Sequence, residues 1–129
     1  MIEKYDSLIQ RGPNLHTLDG DWEGTKFRRR MTVIQLPGGK LLINGAIRLR
    51  DEDYVWIDRL GRVAWIILPN AFHVSEAHHY KARYPHAKVL GSAEAVKAVS
   101  KRCPADGTLP ADWPSEIRVD VECLLLEGT

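Results

Sequence analysis

Six consecutive apolar residues, Val63-Ala64-Trp65-Ile66-Ile67-Leu68, stand between Gly61-Arg62 and Pro69. A run this short and this uniformly apolar shows neither a helical nor an alternating period. It reads as a strand covered on both faces. A strand of that kind needs neighbours on either side and a layer above and below it. The fold class this predicts is α/β, with strands alternating with helices in a layered sheet.

The rest of the chain supplies the neighbours. MTVIQL and KLLING flank Pro37-Gly38-Gly39, a hairpin signal in which proline presets φ and glycine permits positive φ. Residues 15–18 read as a first strand closed by a turn at Asp19-Gly20-Asp21, and residues 1–12 as a flexible lead-in. Residues 51–60 read as a helix, with acidic residues in the first turn and Gly61 just past its end. A second helix is expected from 74 to 84, stopped by Pro85. Lys88-Val89-Leu90 is a short strand. Ser92 caps a third helix that presents Val96, Val99 and Cys103 on one face. Residues 104–114 read as loop, 117–121 as a half-buried strand, and Cys123 to Leu126 as a further apolar run.

The bulk numbers bound the function classes. A chain of 129 residues fits one domain that buries roughly two-thirds of its unfolded surface. Eighteen basic against seventeen acidic side chains leave a formal charge of +1, so net charge predicts no nucleic-acid partner. The local tuft Lys26-Phe27-Arg28-Arg29-Arg30, beside Trp22, reads as a solvated strand entrance. Single-strand binding is its minor alternative. No apolar run approaches the ~20 residues that span a bilayer, and the first twelve residues lack a signal-peptide core. A soluble cytoplasmic protein with no membrane partner is expected. Cys103 and Cys123 form no CxxC and read as reduced, partly buried thiols. No GxSxG, Walker or GxGxxG motif is present.

Four of the five histidines fall between residues 73 and 86. No pair stands at i, i+4, so a helical HExxH zinc site is excluded. On a helix over 74–84 the apolar stripe is Ala77, Tyr80 and Tyr84, which places His79 toward solvent and His78 on the flank. His86 follows Pro85 in a turn. His73 stands apart, because it falls beyond the carboxyl end of a central strand, where α/β folds gather their chemistry.

The segments NLHTLDGDW, RRMTVIQLPGGKLLING and DRLGRVAWIILPNAFHVSEAHHYKARYPHAKVLGSAEAVKA together resemble the first half of a metallo-β-lactamase-fold domain. More narrowly they resemble the DUF4336 family of that superfamily, over roughly residues 14–129. The resemblance implies an αβ/βα sandwich truncated to about its first half, a mixed sheet with helices on one face. It also implies an HxHxDH zinc loop directly after VAWIIL. Laid onto this chain, the ligand positions of that loop are Asn70, Phe72, Val74 and Ser75, with His73 at a spacer. Asparagine, phenylalanine, valine and serine do not form a zinc site, so no metal and no cofactor are expected.

The reading is therefore a non-catalytic binding or structural module without the zinc motif. Its apolar sheet face, left uncovered by truncation, calls for a homo-oligomer first, with a fold adjusted to 129 residues or a longer parent chain as the alternatives. The alternative is a hydrolase with a rearranged site. In it His73 acts as general base or sole ligand, Asn70 donates to an oxyanion, and Asp19 or Asp21 assists. Neither reading names a substrate.

Overall fold

The computed structural model describes residues 2–22, 25–70, 76–99, 103–118, 120 and 121. Seven strands form one sheet in sequence order: β1 Ile9–Gly12, β2 Leu15–Asp21, β3 Arg28–Leu36, β4 Lys40–Asn44, β5 Arg62–Leu68, β6 Lys88–Ser92 and β7 Gly107–Leu109. The pairs from β1 to β4 are antiparallel and those from β4 to β7 parallel. Three helical crossovers join the parallel strands. A 3-10 turn at Asp51–Tyr54 leads into α1 Val55–Asp58, α2 spans Ala77–Arg83, and α3 spans Ala93–Ala98. Crossovers between parallel strands are right-handed, and these step across the sheet in one direction, so the helices fall on one face.

That face holds the main core. Leu18, Met31, Val33, Leu41 and Ile43 pack with Ile57, Ile66, Leu68, Tyr80 and Val89. On β5 a bulge decides which residues join it. Leu41 pairs with Val63, but Leu42 pairs with Trp65, so Ala64 is the extra residue. Val63, Ile66 and Leu68 therefore face the helices, while Trp65 and Ile67 face away. The run is buried on both sides, as its composition predicts.

The second face was expected to be bare, and over its centre it is not. Leu36, Leu42, Trp65, Ile67 and Leu90 pack against Trp113 and Ile117 of the same chain. In the stretch expected to be a strand at 117–121, the described residues form helical turns instead. A 3-10 helix spans Ser115–Ile117, and the Val121 amide donates to the Ile117 carbonyl at 2.8 Å. Pro114 sets the entry to this turn, and the Trp113 indole N–H donates to the Val121 carbonyl at 2.8 Å. Buried indoles need such a partner, and the turn brings one within reach.

Three other expectations are corrected. The turn at Asp19-Gly20-Asp21 does not form; β2 runs through it. Asp19 faces Arg30 and Asp21 faces Arg28 in the ladder, and opposite charges directly across a sheet support pairing. The stretch 1–12 is not wholly a lead-in, because β1 occupies its end and Tyr5 bridges to Gly20. The loop 104–114 contains β7, held by Asp106, whose amide donates to Val89 O and whose carboxylate accepts from Val89 N–H, each at 2.7 Å.

Other local readings hold. Pro37–Gly39 is the hairpin turn, with Gly38 at φ 82° and Gly39 at φ 74°. The Ser92 hydroxyl accepts from the Ala95 amide as an N-cap. Gly61 admits no side chain: a Cβ there would lie 2.5 Å from the Gly39 carbonyl oxygen. The apolar run from Cys123 lies outside the described residues.

The tyrosines give the fold a measurable signature. Burial pushes the Tyr54, Tyr80 and Tyr84 phenols above their ordinary range. Tyr5 is pushed up to about 12, by burial first and then by donating to Asp53. These four are all the tyrosines in the chain. A phenol whose folded pKa is raised stabilises the fold below its unfolded value, and that stability is lost as pH rises through the folded value. The tyrosines' contribution to stability is expected to stay constant up to about pH 10, then to fall by up to ~1.4 kcal/mol per pH unit for each tyrosine. Urea unfolding against pH checks this, with tyrosinate absorbance of the folded protein alongside. Tyrosinate forming near pH 10 before unfolding contradicts it.

Candidate functional site

The carboxyl ends of the parallel strands place β4's Asn44, β5's Leu68 and then Pro69-Asn70 along one edge of the sheet. β3 begins at the same edge, because it runs antiparallel to β4, with Thr32 opposite Asn44. Arg28, Arg29 and Arg30 therefore arrive where the parallel strands end. Beyond residues 71–75, Glu76 opens α2 as its N-cap residue.

Glu76 is the organising group. Its Oε1 pairs with the Arg29 guanidinium and accepts from the Arg48 amide at 3.1 Å. The two side chains are only 8% and 13% exposed, so the pair stands mostly out of water. It ties β3, the segment after β4 and the start of α2 together. Tyr80, one turn on, donates its hydroxyl to the Ile47 carbonyl at 2.7 Å. The edge is thus a charged clamp over a tyrosine-lined core, in which Tyr54 lies edge-on to Tyr80 at 5.4 Å.

The three arginines of the basic tuft are spent within the molecule. Arg28 bonds Asp6 at 2.9 Å, with Asp21 at 3.8 Å, and Arg29 takes Glu76. Arg30 grips Asp19 with two bonds of 2.7 and 3.0 Å. That grip holds the Asp19 carboxyl below the usual carboxylate range. Asp19 and Asp21, expected to assist a hydrolytic site, are thus engaged by arginines. They project from the side of β2 opposite the helices, as the ladder register requires.

Of the sequence-predicted pair, His73 lies outside the described residues. Asn70 follows β5 directly, half-buried and already engaged in an interaction. Ala77 and Tyr80 are buried and Tyr84 half-buried, as the helical stripe predicts. His78 and His79 depart from the solvated reading: both are half-buried, and their rings stack with centroids 3.9 Å apart. Each ring shields the other, which removes part of its surface from water. His78 Nδ1 is buried without a partner among the described residues. His86 is exposed, as expected. Cys103 is buried and free, with desolvation raising its thiol pKa; Cys123 is outside the described residues. Among the described residues no group of three or more His, Cys, Asp or Glu side chains could hold a metal ion. No helix among them is long and apolar enough to cross a membrane.

Residues at the opposite edge escaped the sequence reading. Lys40, Arg62 and Lys88 each open a parallel strand, and parallel direction brings all three to one side. The signal was a basic residue heading each of KLLIN, RVAWIIL and KVLGS.

The geometry has clear counterparts among solved structures. The chain is similar to the metallo-β-lactamase FIM-1 from Pseudomonas aeruginosa in its mono-zinc form. The TM-score is 0.58 at 8% identity, covering 81% of this chain and 50% of that one. It is similar also to the metallo-β-lactamase DIM-1, with TM-score 0.58, 13% identity, and coverage of 82% and 52%. The fold is metallo-β-lactamase-like, and the chain spans about half the length of those proteins. No protein-family model matches it, and no curated protein does.

Proposed function

We propose that this chain is a metallo-β-lactamase-like module that binds or self-associates and does not hold the superfamily's metal. The observation that carries this is the engagement of Glu76. It is the acidic side chain nearest after the position where the superfamily keeps its ligands, and it is held by Arg29 and the Arg48 amide. A guanidinium beside the carboxylate disfavours a divalent cation there by like-charge repulsion. Asn70 adds only an amide to the donor set, a poor zinc ligand. The described residues at this edge therefore do not fit the zinc that the fold's relatives hold.

Self-association is supported by one part of the second face. Ile9 and Leu15 are exposed at 46% and 39%, and their ladder partners are Thr17 and Ile34. They form an apolar fringe at the β1 end of the sheet, outside the cluster that Trp113 and Ile117 cover. A cytoplasmic location and kinship with DUF4336 are consistent parts of this reading.

The test is elemental analysis of protein purified without chelator, together with its mass in solution. Substoichiometric zinc, iron and manganese with a dimer or larger species supports the module. One metal per chain, lost on His73→Ala, overturns it and favours the rearranged hydrolase built on His73 and Asn70.

A further inference from the structure

A groove of about 590 Å³ lies at the amino ends of the parallel strands, the edge of the sheet opposite Asn70. Its apolar wall is Ala64, Trp65, Leu90 and Pro114. Its rim carries charge of both signs, and the two signs differ in what they already touch. Asp106 Oδ2 accepts from the Val89 amide at 2.7 Å, and Asp112 Oδ2 from the Thr108 amide at 2.7 Å. Glu116 takes Lys40 at 3.1 Å, and that ammonium also stands 5.6 Å from the Trp65 ring centroid. Asp106 and Asp112 thus each spend one oxygen on a backbone amide, and Glu116 faces Lys40. Arg62 and Lys88 have no such counter-group among the described residues, and both are exposed. The register places them around the indole, since Arg62 pairs with Lys40 and Lys88 with Trp65 itself.

Two exposed cations without an ion-pair partner among the described residues, beside a partly apolar groove, suit a ligand with an anionic head and a flat apolar body. We propose that this groove binds a small aromatic anion. Its phosphate or carboxylate lies between Arg62 and Lys88, and its ring system packs against Ala64, Pro114 and the exposed edges of Trp65 and Leu90. The site is independent of the module proposed above, because it uses none of the residues at the Asn70 edge. It is built by strand direction: three strands entering in parallel deliver three cations to one rim.

The probe is 1-naphthyl phosphate, titrated into the full chain by calorimetry and by the Trp indole N–H resonances, with the Trp65 signal assigned from Trp65→Phe. Two reference ligands, 1-naphthol and inorganic phosphate, separate the ring from the head. The expected result is saturable binding that shifts the Trp65 signal, weakens with salt, and exceeds both references. The double variant Arg62→Gln, Lys88→Gln removes exposed side chains, so its circular dichroism should match the parent. It should bind the probe about tenfold more weakly or worse. Unchanged affinity in the double variant overturns the proposal. So does equal affinity for 1-naphthol, or no saturable binding of 1-naphthyl phosphate.

Discussion

Replacing Arg29 by methionine should lower the unfolding free energy by about 3–5 kcal/mol, the usual cost of stranding one partner of a buried ion pair. Glu76 would keep the Arg48 amide but lose its only cation among the described residues, while staying 13% exposed. Methionine roughly preserves the aliphatic bulk of the arginine stem, so packing loss contributes less than charge loss. The double variant Arg29→Met, Glu76→Leu should recover part of the stability, because the stranded carboxylate is gone. Recovery stays incomplete, since the Arg48 amide then lacks its acceptor. Urea unfolding of the two variants measures both effects. An Arg29→Met protein within about 0.5 kcal/mol of the parent, the range of an ordinary surface change, sinks the idea that this pair anchors the edge.

The second large effect is expected at Tyr80. Its side chain is fully buried among Met31, Ile47, Tyr54 and the start of α2. Its hydroxyl closes on the Ile47 carbonyl at 2.7 Å and lies 3.1 Å from the Met31 sulfur. Tyr80→Ala should cost about 3–5 kcal/mol through the cavity it leaves. Tyr80→Phe keeps the ring and removes the tether, so it should cost about 1–3 kcal/mol by orphaning the Ile47 carbonyl. The ratio is informative. Equal losses from the two substitutions would mean that the hydroxyl, not the ring, holds α2 to the segment after β4. A loss confined to alanine would mean that the hydrogen bond adds nothing net.

Much of the architecture was legible because it rests on local signals. The Pro37–Gly39 turn, the doubly buried run 63–68 and the Ser92 cap each follow from a few adjacent residues. What was not legible depends on partners distant in sequence. Asp19 to Asp21 look like a turn until Arg28 and Arg30 are set opposite them. β7 looks like loop until β6 offers it an edge. The stretch 117–121 alternates like a strand as text, yet Val121 turns its carbonyl to the Trp113 indole N–H. The candidate site shows the same division. That Asn70 follows the central strand could be read directly. That Glu76 would be claimed by an arginine 47 positions away could not, because no periodicity encodes an ion pair between layers.

The bulge at Ala64 reaches beyond packing. The segment 63–68 looks homogeneous as text, but it is two pieces of opposite phase joined by one surplus residue. Odd-numbered Val63 looks inward to the helices, and odd-numbered Trp65 looks the other way. Parity, which normally tells a reader which side of a pleat a residue occupies, is reset midway through a single strand. An alternation rule carried from one end of this strand to the other would therefore assign every side chain past Ala64 to the wrong side of the molecule.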